Sequence, residues 1–179
     1  EAVEKEATKA NPVVSMQTGK GEIKIELFMD DAPITDGNFK DLVERKFYDG
    51  LTFHRLISGF VIQGGCPNGN GTGNFVDPKT KKPRYIKHEW SGKHSHNKAG
   101  IVAMARTADP NSASSQFFID LAPLPSLNPG GVDPYGYAVF GQVVSGMDVV
   151  NTIMKENQAP FPGSDGTANP VKIKAATII

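Results

Sequence analysis

Phe53-His54-Arg55-Leu56-Ile57-Ser58-Gly59-Phe60-Val61-Ile62-Gln63-Gly64-Gly65 is the most informative run in the chain. Its apolar residues predict a strand over 53–63, closed by the Gly64-Gly65 pair. Arg55 and Gln63 stand inside this apolar stretch. Alone, an arginine in such a place is a surface or ion-paired residue more often than a functional one. Further strands are expected at Gly100 to Ala105, Gln116 to Asp120, Tyr137 to Val143 and Val171 to Ile179.

Working back toward the start, Val13 to Gln17 and Glu22 to Phe28 read as two strands. In the second, Ile23, Ile25 and Leu27 alternate with Glu22, Lys24 and Glu26, the two-residue period of a half-buried strand. Thr18-Gly19-Lys20-Gly21 between them is a turn signal, so the pair is expected to form a hairpin. Asp30-Asp31-Ala32-Pro33 opens a helix whose apolar face is Phe39, Leu42 and Val43, with Asp49-Gly50 as its end. A second helix is expected from Met147 to Met154, striped by Val149, Val150, Ile153 and Met154, with Gly146 before it and Asn157 after it. Many short strands and two amphipathic helices predict a closed β-barrel with helices over its open ends. Residues 1–11 read as a polar arm, and 12–179 as one domain.

Composition excludes several classes. Lys+Arg and Asp+Glu are both 19 in 179 residues, which gives no basic footprint for nucleic acid. No apolar run approaches the ~18–20 residues that span a bilayer. Cys66 is the single cysteine, so no internal disulfide or redox pair is possible, and nothing in the sequence marks it as activated. His88, His94 and His96, with Cys66 or Glu89, invite a metal reading. No CxxC or HExxH accompanies them, and a solvated His94-Ser95-His96 loop is the better expectation. His54 beside Arg55 reads as a structural, hydrogen-bonding histidine. Gly69, Gly71 and Gly73 lack the lysine of a phosphate loop and are read as turn residues; Lys79 to Lys82 is read as a solvated turn. The chain opens on Glu1 with no leader pattern, and a processed, exported protein is favoured over a cytoplasmic one.

The 53–65 run, Asn70-Gly71-Thr72-Gly73, Ala103-Met104-Ala105-Arg106, Ser115-Gln116-Phe117-Phe118-Ile119 and Tyr137-Ala138-Val139-Phe140-Gly141 together resemble the cyclophilins, in the family's order and spacing from Val13 to Ile179. Arg106-Thr107-Ala108 and the 136–141 run look more like bacterial members. The resemblance implies a closed eight-stranded antiparallel barrel capped by two helices, and a peptidyl-prolyl cis/trans isomerase acting on proline-containing polypeptides as a monomer without metal or cofactor. It implies that Arg55, Phe60 and Gln63 carry catalysis. By the same likeness, Val61, Phe118 and Leu127 take the proline ring with Phe60, Ala105 and the backbone of Arg106 pair with the residue before proline, and Gly71, Gln116 and Tyr137 complete the groove. Tyr137 stands where many animal members have histidine, Val61 where methionine is common, and Arg106 where asparagine is frequent. Ser126 stands where many have the tryptophan that contacts cyclosporin, so drug binding is expected to be weak. The long, proline-stiffened stretch from Ala122 to Pro134 is expected to reshape the groove rim.

The chemistry fits those residue types. Rotation about an X-Pro bond is opposed by amide resonance, a barrier of roughly 18–20 kcal/mol, and is slow without help. A fixed cation that hydrogen-bonds the prolyl nitrogen as it pyramidalises favours the twisted state selectively. No proton transfer, nucleophile or metal is called for. The rival expectation is a proline-peptide binding module or holdase using the same groove, for which an arginine at 55 is not required. A carbohydrate- or metabolite-binding barrel has no specific feature in its favour.

Overall fold

The computed structural model describes residues 11–156 and 170–179. The expected polar arm lies, Asn11 apart, outside the described residues, as does Asn157, the expected stop of the second helix. Among the described residues the elements run β1 (Val13–Thr18), β2 (Gly21–Leu27), α1 (Pro33–Glu44), β3 (Arg55–Ile57), β4 (Val61–Gly64), β5 (Ile101–Met104), β6 (Phe117–Asp120), β7 (Val139–Ser145), α2 (Met147–Glu156) and β8 (Ile173–Ile178). A 3-10 turn, Pro125–Leu127, lies between β6 and β7.

The strands form one antiparallel sheet in the order β3-β4-β6-β5-β7-β2-β1-β8. Val14, Ile25, Leu56, Ile62, Val102, Phe117, Phe140 and Ile173, from all eight strands, meet in one buried cluster. A sheet whose every strand sends side chains to one core is rolled around it. The roll stays open, which corrects the expected closed barrel. β3 and β8, at the two ends of the order, share no ladder. A lone bridge, Thr52 to Lys172, spans the gap, supported by Phe53 N–H to Val171 C=O at 3.1 Å and Ile173 N–H to Leu51 C=O at 2.7 Å. The reason is length: β3 has three residues, engaged by β4, and the approach to β8 is made by the irregular chain just ahead of it. The molecule is an eight-stranded half-barrel with two helices.

The single strand expected over 53–63 is a hairpin. Gly59 takes a left-handed conformation (φ 73°), and Phe60 N–H closes the turn onto Ile57 C=O at 3.0 Å. This fold-back sets Arg55 directly opposite Gln63.

α1 packs on β7 and β8, and α2 packs on β2. α1 starts at Pro33, as the Asp30-Asp31-Ala32-Pro33 signal predicts, but neither of those acids caps it. Asp31 turns away to His94, with 2.9 Å between Oδ2 and Nδ1. The cap comes from Glu89, whose carboxylate accepts from Ile34 N–H (3.1 Å), Thr35 N–H (2.6 Å) and Thr35 Oγ1 (2.7 Å). α1 also ends earlier than Asp49-Gly50. Lys46 adopts φ 60°, its N–H reaches Val43 C=O and that of Phe47 reaches Leu42 C=O, each at 3.0 Å, a Schellman ending with lysine where glycine is usual.

Candidate active site

The wall formed by β3, β4, β6 and β5 has two working faces. Leu56, Ile62, Phe117, Ile119, Val102 and Met104 point into the core. Their neighbours along each strand point the other way, as strand geometry requires. On that outer face Val61, Ala103, Phe118 and Leu127 form a separate buried apolar cluster, with Phe60, Ala105, Leu124 and Tyr137 packed at its border. β4, β5 and β6 are buried on both sides because the core covers one face and the 3-10 turn and its loops cover the other, while β3 at the edge buries only Leu56 fully.

A groove of about 520 Å³ opens over this cluster. Arg55, Phe60, Val61, Gln63, Gly71, Ala105, Arg106, Gln116, Phe118, Leu127 and Tyr137 all line it, so every site residue expected from the sequence is brought together. Thr72, Asn74, Thr107, Ser112, Ser114 and Val132 line it too and were not anticipated.

One side of the groove is a directional chain of hydrogen bonds. Arg55 Nη1 donates to Gln63 Oε1 at 3.1 Å, and Gln63 Nε2 donates to Gln116 Oε1 at 3.0 Å. Gln116 Nε2 then donates to the carbonyls of Gly71 (3.0 Å) and Gly73 (2.9 Å). Each amide spends its oxygen toward Arg55 and its nitrogen away from it, so the orientation of both glutamines is fixed by the network. The backbone from which Gln116 projects is held as well. Asn38 Nδ2 donates to Ser114 C=O at 2.7 Å, and Tyr48 Oη to Ser115 C=O at 2.8 Å. The guanidinium is therefore held from the core outward.

The far rim hangs on Arg106, whose side chain does more than the backbone contact expected of it. It is almost fully buried, forks onto Asp133 (3.0 and 3.3 Å), donates to the carbonyls of Thr107 (2.9 Å) and Gly136, and stacks over Tyr137 at 4.7 Å. Hydrogen bonding to Arg106 holds the Asp133 carboxyl below its ordinary range. Arg106→Ala is expected to lower Tm by several degrees and raise KM for proline peptides more than it lowers kcat; an unchanged KM would show that the rim stands without it.

Two further expectations are corrected. His94-Ser95-His96 is not a solvated pair: His94 is half-buried, and His96 is fully buried between Asp120 and Tyr137. Among the described residues no three His, Cys, Asp or Glu side chains are grouped to hold a metal ion. Cys66 is not featureless. Burial pushes its thiol up, but the backbone amides of Gly73, Asn70, Asn68 and Gly71 outweigh that, leaving it below the ordinary value. Gly73 N–H lies 3.2 Å from Sγ. His54 is buried, and its Nε2 stands 3.6 Å from where a Cβ on Gly71 would be.

Residues 13–178 match the family model of the cyclophilin-type peptidyl-prolyl cis-trans isomerase/CLD. The chain belongs to the cyclophilins. Bacterial cyclophilins are among its relatives: it is 48% identical over 144 residues to a peptidyl-prolyl cis-trans isomerase of Acinetobacter baylyi, covering 80% of this chain and 72% of that one. It is 43% identical over 143 residues to peptidyl-prolyl cis-trans isomerase B of Escherichia coli, covering 79% and 83%. Among solved structures, a Cryptosporidium parvum cyclophilin-type isomerase superposes with a TM-score of 0.81 at 32% identity, over 94% of this chain and 98% of that one. A second structure of that protein, in the presence of the dipeptide Ala-Pro, gives 0.80 at 32% identity, over 93% and 98%. Among the described residues of this cyclophilin no helix is long and apolar enough to cross a membrane.

Proposed function

We propose that this cyclophilin accelerates X-Pro bond rotation by seating the proline ring on Phe60, Val61, Phe118 and Leu127 while Arg55 stabilises the twisted amide. The observation that carries the reading is the pinned guanidinium at the edge of an apolar pocket: Arg55 to Gln63 to Gln116 to the 71–73 loop. A cation that need not reorganise as the prolyl nitrogen pyramidalises lowers the barrier more than it tightens the planar ground state. Arginine keeps its charge throughout the accessible pH range and presents planar donors. Ala105 and the backbone at 106 lie beside Gln116 and offer strand-like pairing to an extended peptide. No acid–base step is involved.

Exchange spectroscopy on an Ala-Pro peptide tests the reading. Cis–trans exchange well above the uncatalysed rate is expected, with line broadening confined to groove residues when the peptide is added. Peptide binding without any acceleration would favour the holdase reading.

Weak cyclosporin binding is expected in addition. Ser126, where an indole would stand, is exposed, and Val61, shorter than methionine, offers a ligand less apolar wall to pack against. A nanomolar Kd by calorimetric titration would overturn this.

A further inference from the structure

His96 is wholly buried between two acceptors. Its Nδ1 lies 2.6 Å from Asp120 Oδ2 and its Nε2 lies 3.0 Å from the carbonyl oxygen of Tyr137. Neither side chain is exposed at all. A neutral imidazole carries a single N–H. Opposite an ionised carboxylate and a carbonyl, one of its two contacts would then set lone pair against lone pair. Both are hydrogen bonds when the pair holds one proton more, as imidazolium with carboxylate or as an Nε2–H imidazole with a protonated Asp120. Either form is neutral as a unit, which suits a site removed from water. Burial pushes the Asp120 carboxyl up against the pull of His96, in keeping with a retained proton.

The ring closes a circuit around the pocket wall. Leu124 N–H donates to His96 C=O (2.9 Å), Leu127 N–H to Leu124 C=O (3.0 Å) and Tyr137 N–H to Leu127 C=O (3.0 Å). The contact from His96 Nε2 back to Tyr137 C=O completes it. Asp120 fastens this circuit to β6, two residues beyond Phe118, whose ring stacks on the imidazole at 6.0 Å between centroids. Asn128 Oδ1 accepts His96 N–H at 2.9 Å. Leu127 and Phe118, which both line the pocket, are thus linked through one imidazole.

We propose that His96 and Asp120 are a proton-sharing positioning pair that sets the spacing of the proline pocket. The proposal rests on the reading that Phe118 and Leu127 take the proline ring. On the elements packed around the pair, His94 is held by Asp31, Glu89 caps α1, Lys93 and Lys98 are exposed, and Arg106 is paired with Asp133 beyond the Tyr137 ring. Loss of the shared proton as pH rises opposes the Nε2 contact and loosens Leu127, weakening peptide binding while Arg55 keeps its charge.

Three proteins decide it, each assayed for kcat and KM on an Ala-Pro peptide from pH 6 to 10, with folding checked by circular dichroism. Wild-type KM is expected to rise by about five-fold on the alkaline side, the cost of one hydrogen bond, with kcat little changed. His96→Gln raises KM to that level at every pH. Asp120→Asn, the conservative variant, donates its amide N–H to Nδ1 and leaves Nε2–H on Tyr137, so KM stays low and becomes flat with pH. A flat wild-type KM, or Asp120→Asn behaving like His96→Gln, overturns the proposal. Arg55→Ala run alongside separates the two readings: retained turnover there refutes the Arg55 mechanism, whereas lost turnover with an unaffected His96→Gln refutes only the pair.

Discussion

Arg55→Ala lowers kcat/KM for an Ala-Pro peptide by about 100- to 1,000-fold, the cost of removing one preorganised donor from a developing charge. The loss falls on kcat, while the Kd for the same peptide changes by only a few-fold, because on the proposed reading the proline ring sits on the apolar cluster of Val61, Phe118 and Leu127 and not on Arg55. Stability is little affected, since Arg55 lies on the outer face of β3 and Leu56 is its core-facing neighbour. Arg55→Lys falls between the two: it keeps the charge and loses the planar fork that meets Gln63. Exchange spectroscopy and calorimetric titration on the same samples separate turnover from binding. Undiminished turnover in Arg55→Ala would sink the electrostatic mechanism, and equal losses in turnover and affinity would reduce Arg55 to a binding residue.

The largest effect on stability is expected at Asp36, where Asp36→Asn raises Tm at neutral and alkaline pH. Asp36 is fully buried in α1, and among the described residues neither carboxyl oxygen has a hydrogen-bond partner. Burial, then the nearby charges of Glu89 and Asp31, push its pKa from 3.8 up to about 9. The sign follows from linkage. The folded state holds this proton more tightly than the unfolded chain, so the group's contribution is intact below 3.8 and is lost as pH climbs to about 9. At neutral pH that loss is at most about 4 kcal/mol, from roughly three pH units at about 1.4 kcal/mol each. Asparagine removes the titration but leaves a buried amide, so a net gain of about 2 kcal/mol is expected, or a Tm rise of roughly 4–8 °C. Denaturant unfolding of both proteins from pH 4 to 9 reads the difference directly. It should grow with pH, and a constant difference would mean that Asp36 is paired.

The sequence and structure agree most closely where chemistry and strand parity coincide. The 53–65 run and the Gln116–Phe118 segment held the groove residues, because a polar group among alternating apolar ones has few places to go. Periodicity also placed β1, β2 and both helices. It could not show the fold-back at Gly59, since apolar residues on both sides of the turn read as one continuous strand. Nor could it show the open seam, which depends on how few residues β3 has to offer. Long-range polar pairings were out of reach for another reason: Glu89 capping α1 and Arg106 bolting Asp133 join residues 54 and 27 positions apart. His96 left a faint trace. Phe117-Phe118-Ile119-Asp120 alternates so that Asp120 shares the face of Phe118, and an acid on the apolar side of a buried strand calls for a partner.

One wall serving two faces means that specificity and stability are separately addressable in this chain. On β4 the odd positions, Val61 and Gln63, meet the ligand groove and Ile62 meets the core; on β6 the assignment is reversed, with Phe118 outward and Phe117 and Ile119 inward. A designer can redraw the outward set to favour other residues around proline without reopening the core, since the two sets are divided by backbone. The same arrangement makes the wall intolerant of insertions. One residue added or removed in the Ser58–Phe60 turn would present Ile62 to the ligand and drive Gln63 into the interior, erasing the site and the core together.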